Sequence, residues 1–320
     1  MFLTEIPSSW LLVFALLLGF LFGSFLNVVI YRVPRGLNVA FPPSTCPSCE
    51  TRIPIYRNIP VISWLLLRGK AACCGTRISP RYLGVELLGG LVAVAVMDQL
   101  VLARPYPLSV GLGLLTFALF LTLCLGLIAA VFIDLEHMIL PDSITLGGAA
   151  LGLLTASVRD QAWLDSLLGG AVGFAIVWLP FIFGYRLLRG QAGMGLGDAK
   201  LLMLAGTWFG WPGALFALMA GAVQGTIVAI AVFIARGKID EPEAIKQERE
   251  LIEKARQELQ GAELEALEKE IAGDLLAEAA PEGIRGARIA FGPFLVLGIL
   301  EYLFFKEAIL TAFDAYFWNV

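Results

Sequence analysis

The stretch LSVGLGLLTFALFLTLCLGLIAAVFID, residues 108–134, carries no charged side chain until its last residue. A membrane-spanning helix needs about 20 largely apolar residues, and this run exceeds that before it meets Asp134. Comparable runs lie near residues 10–30, 84–103, 144–158, 165–185, 200–218, 219–235 and 289–312. The run at 144–158 is short, and the two after residue 200 are separated only weakly, around Trp208 to Gly213 or a little later. The expectation is an all-α, polytopic helical membrane protein of about eight spans, with seven as the alternative.

Composition points the same way. The chain has 320 residues, 58% hydrophobic and 16% charged, which is too apolar for a soluble domain of this length. Trp10 to Ile30 has no basic leader before it and no small-residue cleavage signature after it, so it reads as a retained anchor rather than a removed signal peptide. No basic stripe suggests a nucleic-acid partner; the partner implied by composition is the lipid bilayer.

The charges that exist are segregated. Between Tyr31 and Tyr82 lie Arg32, Arg35, Arg52, Arg57, Arg68, Lys70, Arg77 and Arg81 against the single acid Glu50. The positive-inside rule places that segment in the cytoplasm. Alternating spans then put 134–143, 186–200 and 236–288 on the same side, while the opposite loops carry only Arg104 and Arg159. The expected organisation is an anchor over 1–30, a cytoplasmic cysteine loop over 31–83, a transmembrane core over 84–237, a cytoplasmic helical insertion over 238–288 and a final span over 289–320. The insertion is polar, with Ile245, Ile252, Leu259, Leu267 and Ile271 at roughly helical spacing, and Gly261 can divide it into a hairpin.

Ionisable residues at a membrane edge are costly, so each is a functional candidate until a structural task is found for it. Asp134 closes the apolar run and is followed by Ile139-Leu140-Pro141-Asp142, where Pro141 stops the helix and Asp142 can cap the next one. Capping does not explain Asp134, which stands at a helix C-terminal end, where the macrodipole disfavours negative charge. The second candidate is Asp198 in GMGLGDAK, residues 193–200, where alternating glycines let another backbone come close. Asp198 reads either as a plain N-cap or as a functional acid.

Taken together, the two carboxylates are expected at one depth on one face, and two held close together cannot both ionise. One then serves as general base while the other, protonated, polarises a carbonyl. Lys200 and His137 are near enough in sequence to tune the pair; the alternative is an interfacial lysine and a surface histidine. His137 is the only histidine. That excludes an HExxH metal site and leaves a His-based nucleophile system only that residue to build on.

Several motifs in order, GSFLNVVIYRVPRG (23–36), NIPVISWLLLRGK (58–70), ISPRYLGVELLGG (78–90), FIDLEHMILPD (132–142), GMGLGDAKLL (193–202) and FGPFL (291–295), resemble the bacterial type IV prepilin leader peptidases. The resemblance covers the whole chain except the 238–288 insertion. It implies an inner-membrane aspartic endopeptidase of the Gly-x-Gly-Asp type that cuts prepilins or pseudopilins after the glycine of a short leader. It also implies N-methylation of the new amino terminus with S-adenosylmethionine. Carried over by position, Asp134 and Asp198 are the catalytic acids, with Gly195, Gly197 and Lys200 supporting the motif. The rival readings are a non-proteolytic transporter or assembly scaffold, and an enzyme that only methylates.

Cys46-Pro-Ser-Cys49 has the spacing of a metal knuckle, and Cys73-Cys74 follows in the same loop, on a side where disulfides are disfavoured. Relatives of the resembled family show two Cys-x-x-Cys pairs suited to structural zinc. Here Ala71 stands where the first cysteine of the second pair is expected. The loop therefore either holds zinc on Cys46, Cys49, Cys73 and Cys74 or folds as reduced thiols without metal. Cys124, in mid-span, reads as a small packing residue.

Overall fold

The computed structural model describes residues 2–46, 48–189, 193–236, 243–271 and 289–317. The expected borders of the insertion, at 237–238 and 288–289, fall at or beyond the edges of those residues. Among them the regular structure is helical, and β pairing is limited to the isolated bridges Phe2–Ser109, Thr45–Arg52 and Lys70–Arg77. The chain divides into two compact units, Met1–Ala129 and Ala130–Val320.

In the first unit α1 (Ser8–Arg32) is followed by the cysteine loop, which contains the short α2 (Ile62–Leu66), and then by α3 (Pro80–Ala95). Helix α3 starts where the sequence stops it from starting earlier: Pro80 is its first residue and the Ser79 hydroxyl accepts the Arg81 N–H. Helices α1 and α3 pack through small residues. A Cβ on Gly23 would lie 2.9 Å from the Glu86 Cα, so only glycine permits this approach. Beyond Ala95, α3 widens into a π-helical segment, Val96–Leu102. The motif segments are tied to this pair: Asn27 donates to the Tyr82 carbonyl at 3.1 Å, and the buried Glu86 accepts the Val61 N–H at 2.6 Å.

The division between the units falls inside α4 (Val110–His137), the helix formed by the long uncharged run. In the second unit follow α5 (Asp142–Leu154), α6 (Trp163–Val177), a π-helical segment around Pro180, α7 (Tyr185–Arg189) and α8 (Leu196–Arg236). After them come α9 (Glu243–Glu258), α10 (Ala262–Ile271) and α11 (Gly292–Phe317). Helix α8 is the hub, against which α5, α6 and α11 pack. Gly169 and Gly173 give α6 a small-residue face, and a Cβ on Gly169 would lie 2.7 Å from the Gly210 Cα.

Among the described residues, five helices are long and apolar enough to cross a membrane: Ser8–Arg35, Pro80–Leu102, Val110–His137, Trp163–Leu188 and Leu196–Ala235. Helix α5 is too short to be counted with them, and α11 carries Glu301, Lys306 and Glu307. The two runs expected after residue 200 are the two limbs of α8, divided at Gly210 (φ 71°, ψ 178°) just before Pro212. The division falls inside the Trp208–Gly213 stretch where the separation is expected, ahead of residue 218, because Gly210 leaves helical backbone and Pro212 has no N–H to carry the ladder on. In the insertion Gly261 (φ 59°) separates α9 from α10, and Arg256 meets Glu268 at 2.9 Å across the turn, as the hairpin expectation has it.

Candidate functional site

Asp134 lies in the last turn of α4 and is buried, whereas Glu136, two residues on, is only half-buried. The helix ends by a left-handed residue: Met138 (φ 52°) donates its N–H to the Asp134 carbonyl at 2.9 Å. The Asp134 side chain turns instead to another helix. Gly292, the first residue of α11, donates its backbone N–H to Asp134 Oδ2 at 3.0 Å. The electrostatic penalty expected for an acid at the end of α4 is thus offset by the positive end of α11. No role for FGPFL was legible in the sequence beyond its presence.

Asp198 is also buried, in the first turn of α8. It is not the N-cap, because the helix begins two residues earlier at Leu196. Its carboxylate reaches back to the N–H of Gly195, the arrangement of an acid at the third helical position. Asp198 lies close enough to Asp134 to feel its charge. Leu140, from the linker between α4 and α5, packs at both glycines beside the acids. A Cβ on Gly197 would lie 3.0 Å from its Cβ, and one on Gly292 would lie 3.2 Å from its Cδ2.

Lys200 does not turn toward the acid pair. Its ammonium contacts Asp142 Oδ1 at 2.6 Å, tying the first turn of α8 to the start of α5. Asp142 in turn is not a cap: Pro141 holds the N-cap position without a side-chain bond, and Asp142 is the first helical residue. It stabilises α5 through the macrodipole and neutralises Lys200. His137 lies in the last turn of α4. Gly193 donates to the Phe181 carbonyl at 2.8 Å, which anchors the glycine-rich segment to the end of α6's π-helical continuation.

In the first unit, the four loop cysteines come together with all four sulfurs within 4.8 Å of one another. Cys46 and Cys74 are 3.7 Å apart, Cys49 and Cys73 3.3 Å, and Cys73 and Cys74 3.9 Å. A tetrahedral zinc–thiolate centre with bonds of about 2.3 Å requires sulfur separations of about 3.8 Å, so the donor set and spacing fit such an ion. Hydrogen bonds from Thr51 lower the Cys49 thiol to about 6, while its bond to Cys49 pushes Cys73 up to about 12. The cluster can bind a metal. Cys124 is fully buried in α4, as expected of a packing residue.

Comparison with known proteins gives two family matches: the bacterial peptidase A24 N-terminal domain over residues 17–100 and the type IV leader peptidase family over residues 121–230. The chain is 38% identical over 255 residues to the prepilin leader peptidase/N-methyltransferase of Stutzerimonas stutzeri, covering 71% of this chain and 84% of that protein. It is 38% identical to the protein of the same name from Dichelobacter nodosus, covering 69% and 83%, and 37% identical to that of Neisseria gonorrhoeae, covering 73% and 86%. No solved structure matches.

Proposed function

The chain belongs to the type IV leader peptidase family, and from that premise we propose that it is an aspartic endopeptidase of the bacterial inner membrane. Its substrates are type IV prepilins or pseudopilins, cut after the glycine that ends their leader. The observation that carries this reading is the meeting of two buried acids, Asp134 from the end of α4 and Asp198 from the start of α8.

The chemistry follows from the pair. One carboxylate is ionised and takes a proton from water, whose oxygen attacks the scissile carbonyl carbon. The other, protonated, gives its proton to the carbonyl oxygen. Collapse of the tetrahedral intermediate breaks the C–N bond: the amine leaves with the proton that the first acid took, and a hydroxyl of the intermediate returns a proton to the second carboxylate as the carbonyl re-forms. Asp134 accepts the Gly292 N–H at 3.0 Å and Asp198 turns toward the N–H of Gly195, so main-chain groups orient the pair. Gly195 and Gly197 keep the approach to Asp198 free of side chains.

The eight basic residues of 31–82 favour placing that segment, and with it the ends of α4 and α8 that hold the acids, on the cytoplasmic side. The second activity in the relatives' names, N-methylation, would draw its methyl group from S-adenosylmethionine and would act on the amine that cleavage frees. The cysteine cluster of the first loop would hold a zinc ion that shapes the loop and takes no part in cleavage.

The test uses purified protein in detergent with a prepilin whose leader ends in glycine, comparing wild type, Asp134→Asn and Asp198→Asn by mass spectrometry with and without S-adenosylmethionine. Each substitution should abolish cutting in protein that remains folded, and a methyl group should appear only when S-adenosylmethionine is added. Continued cutting by both variants would remove the acids from the mechanism.

A further inference from the structure

The two halves of the cysteine loop are copies of one another offset by 25 residues, and the copy covers more than the cysteines. The bridge Thr45–Arg52 recurs as Lys70–Arg77. The Cys46 N–H donates to the Thr51 carbonyl at 2.9 Å, and the Ala71 N–H to the Thr76 carbonyl at 2.8 Å. Glu50 donates to the Cys46 carbonyl and Gly75 to the Ala71 carbonyl, both at 2.8 Å, and Ile53 to Ser44 as Ile78 to Gly69. Glu50 and Gly75 both have positive φ, 56° and 74°. The Cys49 sulfur lies 3.3 Å from the Thr51 hydroxyl and the Cys74 sulfur 3.2 Å from that of Thr76. Even the sequence repeats: Cys49-Glu-Thr-Arg-Ile against Cys74-Gly-Thr-Arg-Ile.

Two knuckles of this kind facing each other would offer one ion four thiolates, from positions 46, 49, 71 and 74. Position 71 keeps every backbone bond of a ligand position yet carries only a methyl group. We propose that Cys73, inside the second turn rather than at its start, supplies the fourth ligand of a zinc-type centre in place of residue 71. The centre is then a two-fold pair of knuckles with one ligand moved two residues along the chain. This rests on the metal reading above and goes further, by assigning the ligand register.

The sulfur positions support the assignment. Cys73 Sγ is 3.3 Å from Cys49 and 3.9 Å from Cys74, closing a cluster in which Cys46 meets Cys74 at 3.7 Å. A cysteine at 73 serving only as a surface residue had no reason to point toward the three others. Because the backbone at position 71 already has knuckle geometry, a thiol placed there should find the ion without any rearrangement of the loop.

The test measures zinc content by elemental analysis, zinc affinity by chelator competition, and the cobalt(II) absorption spectrum of the full chain in detergent. The proteins are wild type, Cys73→Ser, Cys46→Ser, Cys124→Ser and the double variant Ala71→Cys/Cys73→Ser. Wild type and Cys124→Ser should bind one ion with the strong visible absorption of tetrathiolate cobalt. Cys73→Ser should bind about 100-fold more weakly or worse and lose that signature. The double variant should recover both. If Cys73→Ser matches wild type while Cys46→Ser does not, the ion is held without Cys73 and the register assignment is overturned although the metal reading stands. A double variant that stays as weak as Cys73→Ser also overturns the register. If wild type binds no zinc or cobalt, the metal reading itself fails and takes the assignment with it.

Discussion

The backbone N–H of Gly292 points at Asp134 Oδ2 from 3.0 Å, across 158 residues of sequence. A helix start therefore faces an acid at a helix end, and the acid is oriented by a group that cannot rotate away. A Cβ on Gly292 would lie 2.6 Å from the same oxygen, closer than any carbon and oxygen not bonded to one another tolerate. Gly292→Ala is expected to lower kcat for prepilin cleavage by about 100-fold, the scale on which a shift of about 1 Å in a reacting group acts. KM should stay within about threefold, because the change touches the reacting acid rather than the leader. A rise in KM alone would place Gly292 in substrate binding.

Lys200 and Asp142 form an ion pair at 2.6 Å with the aspartate more than half exposed. Its contribution to stability should be no more than about 1 kcal/mol. Lys200→Met and Asp142→Asn should each lower the melting temperature slightly, and the double variant no further than the larger single effect, the pattern of a coupled pair. Cleavage rates should stay within about threefold of wild type, or about 0.6 kcal/mol. A large loss with Lys200→Met that Asp142→Asn does not share would show that the ammonium acts on the acid pair directly.

Arg159 holds two helix ends together. Its guanidinium donates to the carbonyls of Trp208 at 2.6 Å, Thr207 at 3.2 Å and Gly152, and stacks on the Trp208 ring at 4.5 Å. Burial lowers its pKa to about 10, so it is still charged at neutral pH. These bonds occupy the last carbonyls before the break at Gly210, which would otherwise be left without partners. Arg159→Met should destabilise the protein by about 2–4 kcal/mol in thermal or denaturant unfolding, and Arg159→Lys should recover little, since a point charge cannot serve a fan of carbonyls. Full recovery by lysine would reduce the role of Arg159 to charge alone.

Val61 lies at the centre of a tight turn, φ 63° and ψ −54°, in which Ile62 donates to the Pro60 carbonyl at 2.6 Å. That is a γ-turn conformation strained for a β-branched residue, and it is held by the Val61 N–H bonded to buried Glu86. Glu86→Ala should release the turn and speed proteolysis within residues 58–70, with a loss of about 2 kcal/mol. Val61→Gly should be neutral or stabilising, by about 1 kcal/mol, because glycine meets the same backbone without the steric cost. A destabilised Val61→Gly would mean that the valine side chain matters more than its backbone.

The helices were legible because hydropathy is local: a run such as 108–134 states its own length and burial without reference to the rest of the chain. The two acids were legible for a related reason, each being a charge at the edge of an apolar run. What was not legible depends on residues far apart in sequence. Gly292 could be seen as part of a motif but not as the donor to Asp134, and Lys200 could not be seen to belong to Asp142. Asp198 looked like a cap because it stands near a helix start, and the difference between the cap and the third residue rests on backbone angles. The break in α8 falls inside the expected Trp208–Gly213 stretch, but the residue that makes it was not legible, since the two apolar limbs around Gly210 and Pro212 share one composition.

Both donors to the acid pair come from the main chain, at Gly195 and Gly292, so no ordinary side-chain truncation can take either away. An alanine scan, which works by deleting groups, removes neither donor, and at Gly292 it reads out only through the methyl it adds. Inactive variants collected at random should therefore be enriched there in substitutions that gain atoms, and in proline, the one residue that erases the donor itself.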